Sequence, residues 1–156
     1  MPTYASLQSA TDAAGKNWAY LATEANFRWL KDFESKNLLV PVVGNFAGSK
    51  AIRAAAKYLE EHHAIVSAFY TSNVEQYLFQ QGDEWSRYYK NVATLPLDST
   101  STFIRSISNR GFPFARFRRF SPSARASTAL SPIAEVVRAF NAGRIHQYED
   151  IVSMSK

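Results

Sequence analysis

Polar and aromatic side chains cluster in two short stretches, each at or directly after the end of an apolar run that predicts a strand. The residues concerned are Asn45, Phe46, Tyr70, Ser72, Asn73 and Glu75. In an open α/β sheet, ligands bind outside the carboxyl ends of the strands, so the two stretches are expected to share one edge. Amide and carboxylate groups can recognise hydroxyls, amines or base edges. The pattern therefore predicts a site for a small polar ligand.

A structural interpretation of the same residues stays open. Ser72-Asn73-Val74-Glu75 has the form of a capping box, in which Ser72 caps a helix and Glu75 reaches back to it. The glycines of the preceding loop, Gly44 and Gly48, are then needed only for a turn. No capping rule requires both Asn45 and Asn73, so these two residues still favour a ligand site.

A second cluster, the tract 105–125, combines arginine with phenylalanine. The net charge of the chain is +5, and this tract contains six arginines and no acidic residue. Single-stranded nucleic acid is bound by arginine, which meets phosphate, and by aromatic rings, which stack on bases. Arg116, Arg118 and Arg119 are the candidate nucleic-acid contacts. The pattern is equally that of a segment whose rings pack on the protein while its arginines reach solvent, or of a surface for a protein partner.

Residue type and spacing exclude several other sites. The chain has no cysteine, which excludes disulfides, thiolate metal sites and cysteine nucleophiles. The loop Gly44–Lys50 has too few residues between its glycines, and Ser before Lys, for a phosphate loop. No G-x-G-x-x-G motif occurs. His62 and His63 are adjacent and His146 is remote, so no metal site is predicted.

The apolar periodicity predicts the elements that position these residues. Helices are expected at 17–36, 49–62, after Ser72, at 83–91, from Ser131-Pro132 and at 145–154, and strands at 38–43, 64–70 and 102–107. The first two strands and the helix between them have the length of a βαβ unit, so they are expected to be parallel. Residues 1–16 are expected to be a loose lead-in, and residues 109–130 a long Arg/Phe-rich loop.

This order of elements predicts an α/β fold, a Rossmann-like three-layer or partial doubly wound sheet with about three strands and flanking helices. A doubly wound sheet usually has more strands. Residues 1–156 are therefore a single α/β domain or the C-terminal half of a larger one, whose sheet a second domain or subunit completes. The longest apolar run is too short to span a bilayer and no signal peptide is recognised, so a cytoplasmic protein without a membrane partner is expected.

Three stretches, Val40–Gly48, Ala68–Leu78 and Asn91–Ser99, resemble an uncharacterised bacterial family over roughly residues 5–155. The SNVEQYL-type motif at Ser72–Leu78 is the most specific of them. Longer members of that family are similar to class I S-adenosylmethionine-dependent methyltransferases, and this chain corresponds to their C-terminal half. The resemblance implies S-adenosylmethionine as a cofactor, although the glycine-rich cofactor loop is absent from this sequence.

The resemblance supplies no catalytic residue, but if the family is a transferase, the expected position of several residues at the strand ends gives them roles. Asn73 and Glu75 would orient a polar substrate, and Asp98 or Arg105 would contribute from the third strand. The function expected first is a methyltransferase-like domain that binds a small polar ligand. The alternatives are a nucleic-acid or protein-binding module that uses the tract 105–125, and an interaction protein that pairs through an exposed sheet edge.

Overall fold

The computed structural model describes residues 3–108 and 126–156. The backbone divides into two compact units, Met1–Val42 and Val43–Lys156. The elements in chain order are α1 (Tyr4–Gln8), α2 (Glu24–Ser35), α3 (Ala51–Glu61), β1 (Ala68–Ser72), α4 (Val74–Leu78), α5 (Glu84–Val92), β2 (Thr102–Ser108), β3 (Ala126–Pro132), α6 (Ile133–Asn141) and α7 (Tyr148–Ser153). None of the helices described is long and apolar enough to cross a membrane.

The first unit contains α1 and α2. The prediction of a loose lead-in was wrong at α1, where the side chain of Thr3 accepts a hydrogen bond from the N–H of Ser6 and caps the helix. The helix predicted from residue 17 begins only at α2. Its start is set by Thr23, whose hydroxyl accepts from the N–H of Asn26.

The strand predicted at 38–43 is absent, and the βαβ unit built on it was wrong. Residues 38–45 belong to no helix or strand. An apolar run specifies no partner strand by itself, and Pro41 removes a backbone donor from the middle of this one. The side chains of the run are exposed, with Val40 at 63%.

The second unit is built on a three-stranded sheet with the order β1-β2-β3. β1 is parallel to β2, with α4 and α5 in the connection, and β3 is antiparallel to β2. The parallel pair is therefore formed by β1 and β2, not by the predicted strands 38–43 and 64–70. The strand expected at 64–70 is found four residues later at its start, as β1. β2 confirms the strand predicted at 102–107. The prediction of a loop at 109–130 was wrong over residues 126–130, which belong to β3. Residues 109–125 lie outside the residues that the structure describes.

Most helices of the second unit confirm their predictions. α3 and α7 lie within the ranges predicted from apolar periodicity, and α5 extends one residue past its predicted range of 83–91. The helix start predicted at Ser131-Pro132 is corrected, because Ser131 belongs to β3 and Pro132 takes the N-cap position without a side-chain cap. Gly143 follows the end of α6 with a φ of 64°, the left-handed conformation that ends many helices.

The two faces of the sheet differ in burial. Phe103, Arg105 and Ile107 alternate along β2 and are fully buried against side chains of α4 to α7. On the other face, Tyr70, Ile104 and Leu130 are register partners across the three strands. Tyr70 is 64% exposed and Leu130 is 43% exposed. The architecture is thus a mixed α/β fold with an open sheet and one closely packed face.

Gly44 provides a test of the packing between its loop and α3. A Cβ at position 44 would overlap the Cβ of Ala51. We expect Gly44→Ala to lower the free energy of unfolding by about 1–3 kcal/mol, since the loop must move away from the helix. Urea denaturation measures the change. Ala51→Gly in the same chain removes the opposing Cβ and should recover part of the loss; a fully stable Gly44→Ala chain would contradict the contact.

Candidate functional site

Glu75 and Arg105 form a buried ion pair in the second unit. Their side chains are 1% and 0% exposed. The Nε of Arg105 donates to one carboxylate oxygen of Glu75, and its Nη2 donates to the other at 3.0 Å. Glu75 lies in the first turn of α4 and Arg105 in the middle of β2. The bidentate geometry is that of the strong arginine–carboxylate pairs.

Three further side chains complete this network. The hydroxyl of Tyr89 donates to Glu75, and that of Thr71 donates to the same carboxylate over 3.3 Å. Nη1 of Arg105 donates to the hydroxyl of Ser131. The network therefore joins β1, α4, α5, β2 and β3 at one buried point.

The capping box predicted at Ser72 and Glu75 is not formed. Ser72 has a φ of 50°, and Asn73 takes the N-cap position of α4 without a side-chain hydrogen bond. The carboxylate of Glu75 turns into the core, where a full positive charge in a medium of low dielectric attracts it more strongly than an exposed N–H group would.

The electrostatics of the network favour fixed protonation states. Burial lowers the pKa of Arg105, but the charge of Glu75 and the hydrogen bonds to it outweigh burial and raise the pKa above its usual value. Burial, followed by the charge of Glu75, raises the pKa of Tyr88 and of Tyr89 well above the usual range. Among the described residues, the hydroxyl of Tyr88 has no hydrogen-bond partner. The network therefore positions elements and is closed to solvent.

A second buried side chain, Asn91, holds the loop that contains Asn45 and Phe46. Its Nδ2 donates to the carbonyl oxygens of Phe46 and Gly48 at 3.0 and 2.7 Å. Its Oδ1 accepts from the Nε of Arg53 at 2.8 Å. The amide of Asn91 is thus fully used in fixing this loop to α3 and α5.

The structure places the predicted ligand residues in different environments. Asn45 and Asp98 are exposed, and each accepts hydrogen bonds from its own turn. Hydrogen bonding to Thr100 lowers the pKa of Asp98. Phe46 packs in the core, with its ring centroid 6.4 Å from that of Phe69.

The other predicted ligand residues lie around the sheet. Tyr70 lies on its exposed face, while Ser72 and Asn73 are half-buried at the junction of β1 and α4. Among these predicted residues, Glu75 and Arg105 are joined by side-chain hydrogen bonds, and Ser72 is the register partner of Arg105 between β1 and β2. The loop of Asn45 follows no strand, which removes the reason to expect it at the strand ends. The predicted contacts Arg116, Arg118 and Arg119 lie outside the described residues.

A cleft of about 220 Å³ lies beside α4. It is lined by Gln76, Phe79, Gln80, His146, Gln147, Tyr148 and Glu149. Phe79 and Tyr148 pack in one cluster with Ile107, close to the carboxyl end of β2, and α4 directly follows the carboxyl end of β1. The cleft therefore lies where the parallel pair ends, which is the usual place for a ligand in an open α/β sheet.

The cleft combines amides, an aromatic floor and one carboxylate. Gln76 lies on α4 and Gln80 follows its C-cap Phe79, and both line the cleft. The ring of Phe79 stacks on Trp85, with centroids 5.0 Å apart. The lining residues that the structure describes include Glu149 but no lysine or arginine. This chemistry suits a neutral or cationic ligand that offers a ring and hydrogen-bonding groups.

Sequence reasoning missed several of these residues. Trp85, Tyr88, Tyr89 and Val92 recur at helical spacing, a pattern that indicates burial and therefore a partner for the tyrosine hydroxyls. Gln76 and Gln80 carry no comparable signal. Among the residues described in both units, no group of three or more histidines or acidic residues could hold a metal ion.

The sheet, the buried network and the strand-end cleft define a small mixed α/β domain. The chain belongs to the family described as Domain of unknown function (DUF7790), whose model matches residues 3–145. No curated protein matches the chain.

The buried pair predicts a specific pattern of stability changes. Glu75→Gln leaves the charge of Arg105 unpaired in the core, so we expect a loss of about 3–5 kcal/mol in the free energy of unfolding. Adding Arg105→Met removes that charge, and the double variant should lose less than the sum of the two single variants. Urea denaturation of the four chains measures the coupling. Additive losses would show that the two side chains do not interact.

Tyrosine titration predicts a loss of stability at high pH. Burial, followed by the charge of Glu75, raises the pKa of Tyr148 from 10.0 to about 12. Between these values the unfolded chain releases the proton and the folded chain keeps it, so stability is complete below pH 10 and falls as pH rises toward 12. Urea midpoints measured across this range should fall less steeply for Tyr148→Phe. Parallel curves for the two chains would contradict the shift.

Proposed function

We propose that the chain is a Rossmann-like α/β domain that binds a small polar ligand in the cleft beside α4. The position of the cleft at the carboxyl ends of β1 and β2 carries this proposal. Phe79 and Tyr148, which line the cleft, pack with Ile107 at the end of β2. This is the edge at which open α/β sheets bind their ligands.

The lining residues define the class of ligand. The carboxylate of Glu149 and the absence of lysine and arginine from the described lining, which does contain His146, disfavour a phosphate or carboxylate group. Gln76 and Gln80 offer both donors and acceptors for a hydroxyl or an amine. Phe79 offers an apolar surface to a planar ring. The best match is a small aromatic or heterocyclic molecule with a hydroxyl group and an ammonium group.

The residues of this chain do not fit a whole S-adenosylmethionine molecule. β1 leads through Ser72 directly into α4, with no glycine-rich turn, and Thr71 and Glu75 beside that junction are buried. The cleft of about 220 Å³ is also below the roughly 300–1,000 Å³ of pockets that enclose larger ligands. Because the residues do not fit the cofactor, the methyltransferase-like resemblance enters this proposal only through the Rossmann-like fold. We propose no methyl-transfer step.

A matched pair of probes tests the ligand class. Tyramine and 4-hydroxyphenylacetate share a phenol ring and differ in the charge of the side chain. We expect tyramine to raise the melting temperature, since a ligand that binds only the folded state stabilises it by about 2.7 kcal/mol at 100 times its Kd. The acid should give no shift. Equal shifts, or a shift with the acid alone, would overturn the proposed charge preference.

Two glutamate variants locate the binding site. Glu149→Gln keeps the shape of the cleft and removes its carboxylate, so tyramine should bind about tenfold more weakly in titration calorimetry, a change of roughly 1.4 kcal/mol. Glu60→Gln removes an exposed carboxylate on α3 and serves as the matched control. If both variants bind tyramine like the unmodified chain, the ligand does not contact Glu149. S-adenosylmethionine, tested in parallel, is expected to give no shift.

A further inference from the structure

The cleft beside α4 contains a side chain of the type whose charge changes near neutral pH. Among the described lining residues this is His146, which precedes the N-cap Gln147 of α7. Histidine is the side chain that usually gains a proton between about pH 5 and pH 8. Glu149, the carboxylate proposed to bind the ammonium group of the ligand, lines the same cleft. A titrating group and the charge that attracts the ligand therefore share one site.

The backbone around His146 is fixed on both sides. The N–H of His146 donates to Oδ2 of Asp150 at 2.8 Å, and the N–H of Gln147 donates to the same oxygen at 3.1 Å. Ile145 is 2% exposed and Tyr148 is 5% exposed, so both anchor this segment in the core. His146 itself is exposed between the two anchors. Its place in the lining is therefore determined by its neighbours in the chain.

The segment of His146 carries charges of both signs. Glu149 lines the cleft, and Asp150 accepts the two backbone hydrogen bonds. Arg144 is exposed and is not among the lining residues. Tyr148 stays uncharged below pH 10, because burial and the charge of Glu75 raise its pKa to about 12. Within this segment, the groups whose charge acts from the lining itself are His146 and Glu149.

The elements on the other side of the cleft contribute no charge to the described lining. Gln76, Phe79 and Gln80 line it from α4 and the turn that follows. The side chains of α5 whose rings lie against Phe79 are those of Trp85 and Tyr89, which are uncharged. The charged residue of α4 is Glu75, which is buried and paired with Arg105.

The charge of the described lining thus depends on two side chains. When the imidazole of His146 is neutral, the carboxylate of Glu149 makes the lining negative. When the imidazole is protonated, the two charges cancel, and the imidazolium both repels a cation and attracts the carboxylate. Each effect weakens the binding of a cation, and neither acts on an uncharged molecule.

We propose that His146 makes the cleft a pH-dependent site, which binds a cationic ligand when the imidazole is neutral and releases it when the imidazole is protonated. This inference rests on the proposed ligand site and adds its regulation. Affinity for a cation is then highest at slightly alkaline pH and falls as the pH drops through the range in which histidine gains its proton.

Titration calorimetry with two probes at about pH 8 and about pH 5.5 tests the proposal. Tyramine is a cation at both values, and tyrosol carries a hydroxyl group in place of the ammonium group; ordinary ammonium and phenol groups titrate only near pH 10. We expect the Kd of tyramine to be about fivefold higher at the lower pH, the effect of one unit charge close by in water. The Kd of tyrosol should stay the same.

A matched pair of variants assigns the effect to one residue. His146→Asn removes the titrating group, so tyramine should bind this chain with nearly equal Kd at the two pH values. His63→Asn is the control, because His63 is an exposed histidine outside the cleft whose φ of 53° an asparagine readily adopts. This variant should keep the full pH dependence.

The outcomes separate this inference from the ligand site on which it rests. If tyramine binds with the same Kd at both pH values, or if His146→Asn keeps the pH dependence, the role of His146 is wrong and the ligand site stands. A Kd of tyrosol that changes as much as that of tyramine would also overturn the role, since the cleft itself would then change shape with pH. If neither probe binds at either pH, both the site and its regulation are wrong.

Discussion

The second unit depends on keeping two opposite charges in a place that water does not reach. Removing a carboxylate and a guanidinium from water costs several kcal/mol for each ion, and only close pairing with further hydrogen bonds compensates for it. Tyr89, Thr71 and Ser131 supply those bonds. Because each comes from a different element, the pair is satisfied only when α5, the end of β1 and β3 all lie correctly around β2.

The same constraint determines where a ligand can bind. The carboxylate of Glu75 and the guanidinium of Arg105, the groups with the chemistry to bind a polar substrate, are enclosed by their own partners. The side chain of Asn91 is likewise hydrogen-bonded to the loop at 44–48. The polar side chains that remain accessible at the strand ends lie on or next to α4 and at the start of α7. The cleft lies at the carboxyl ends of the parallel pair of β1 and β2, where the general rule for open α/β sheets places a ligand.

Local patterns in the sequence predicted the elements that local interactions stabilise. α3, α5 and α7 follow from the spacing of apolar residues, and β2 follows from its alternation. The predictions were wrong where the local structure depends on a partner that is distant in the sequence. Ser72 to Glu75 satisfies the rule for a capping box, yet Arg105, 30 residues away from Glu75, takes the carboxylate instead. Residues 38–43 have the composition of a buried strand, and no local signal shows that they lack a partner strand. The cleft residues Gln76 and Gln80 are polar side chains on and just after a short helix, and nothing in their spacing distinguishes them from solvated ones.

The bidentate contact between Glu75 and Arg105 also limits how this sequence can drift over evolutionary time. A change at either position alone leaves a buried charge uncompensated, so the intermediate chain is less fit than both the starting chain and one in which an apolar pair has replaced the ions. Positions 75 and 105 are therefore expected to vary together among relatives, with Tyr89 and Ser131 released from their hydrogen-bonding roles only in lineages that have lost both charges.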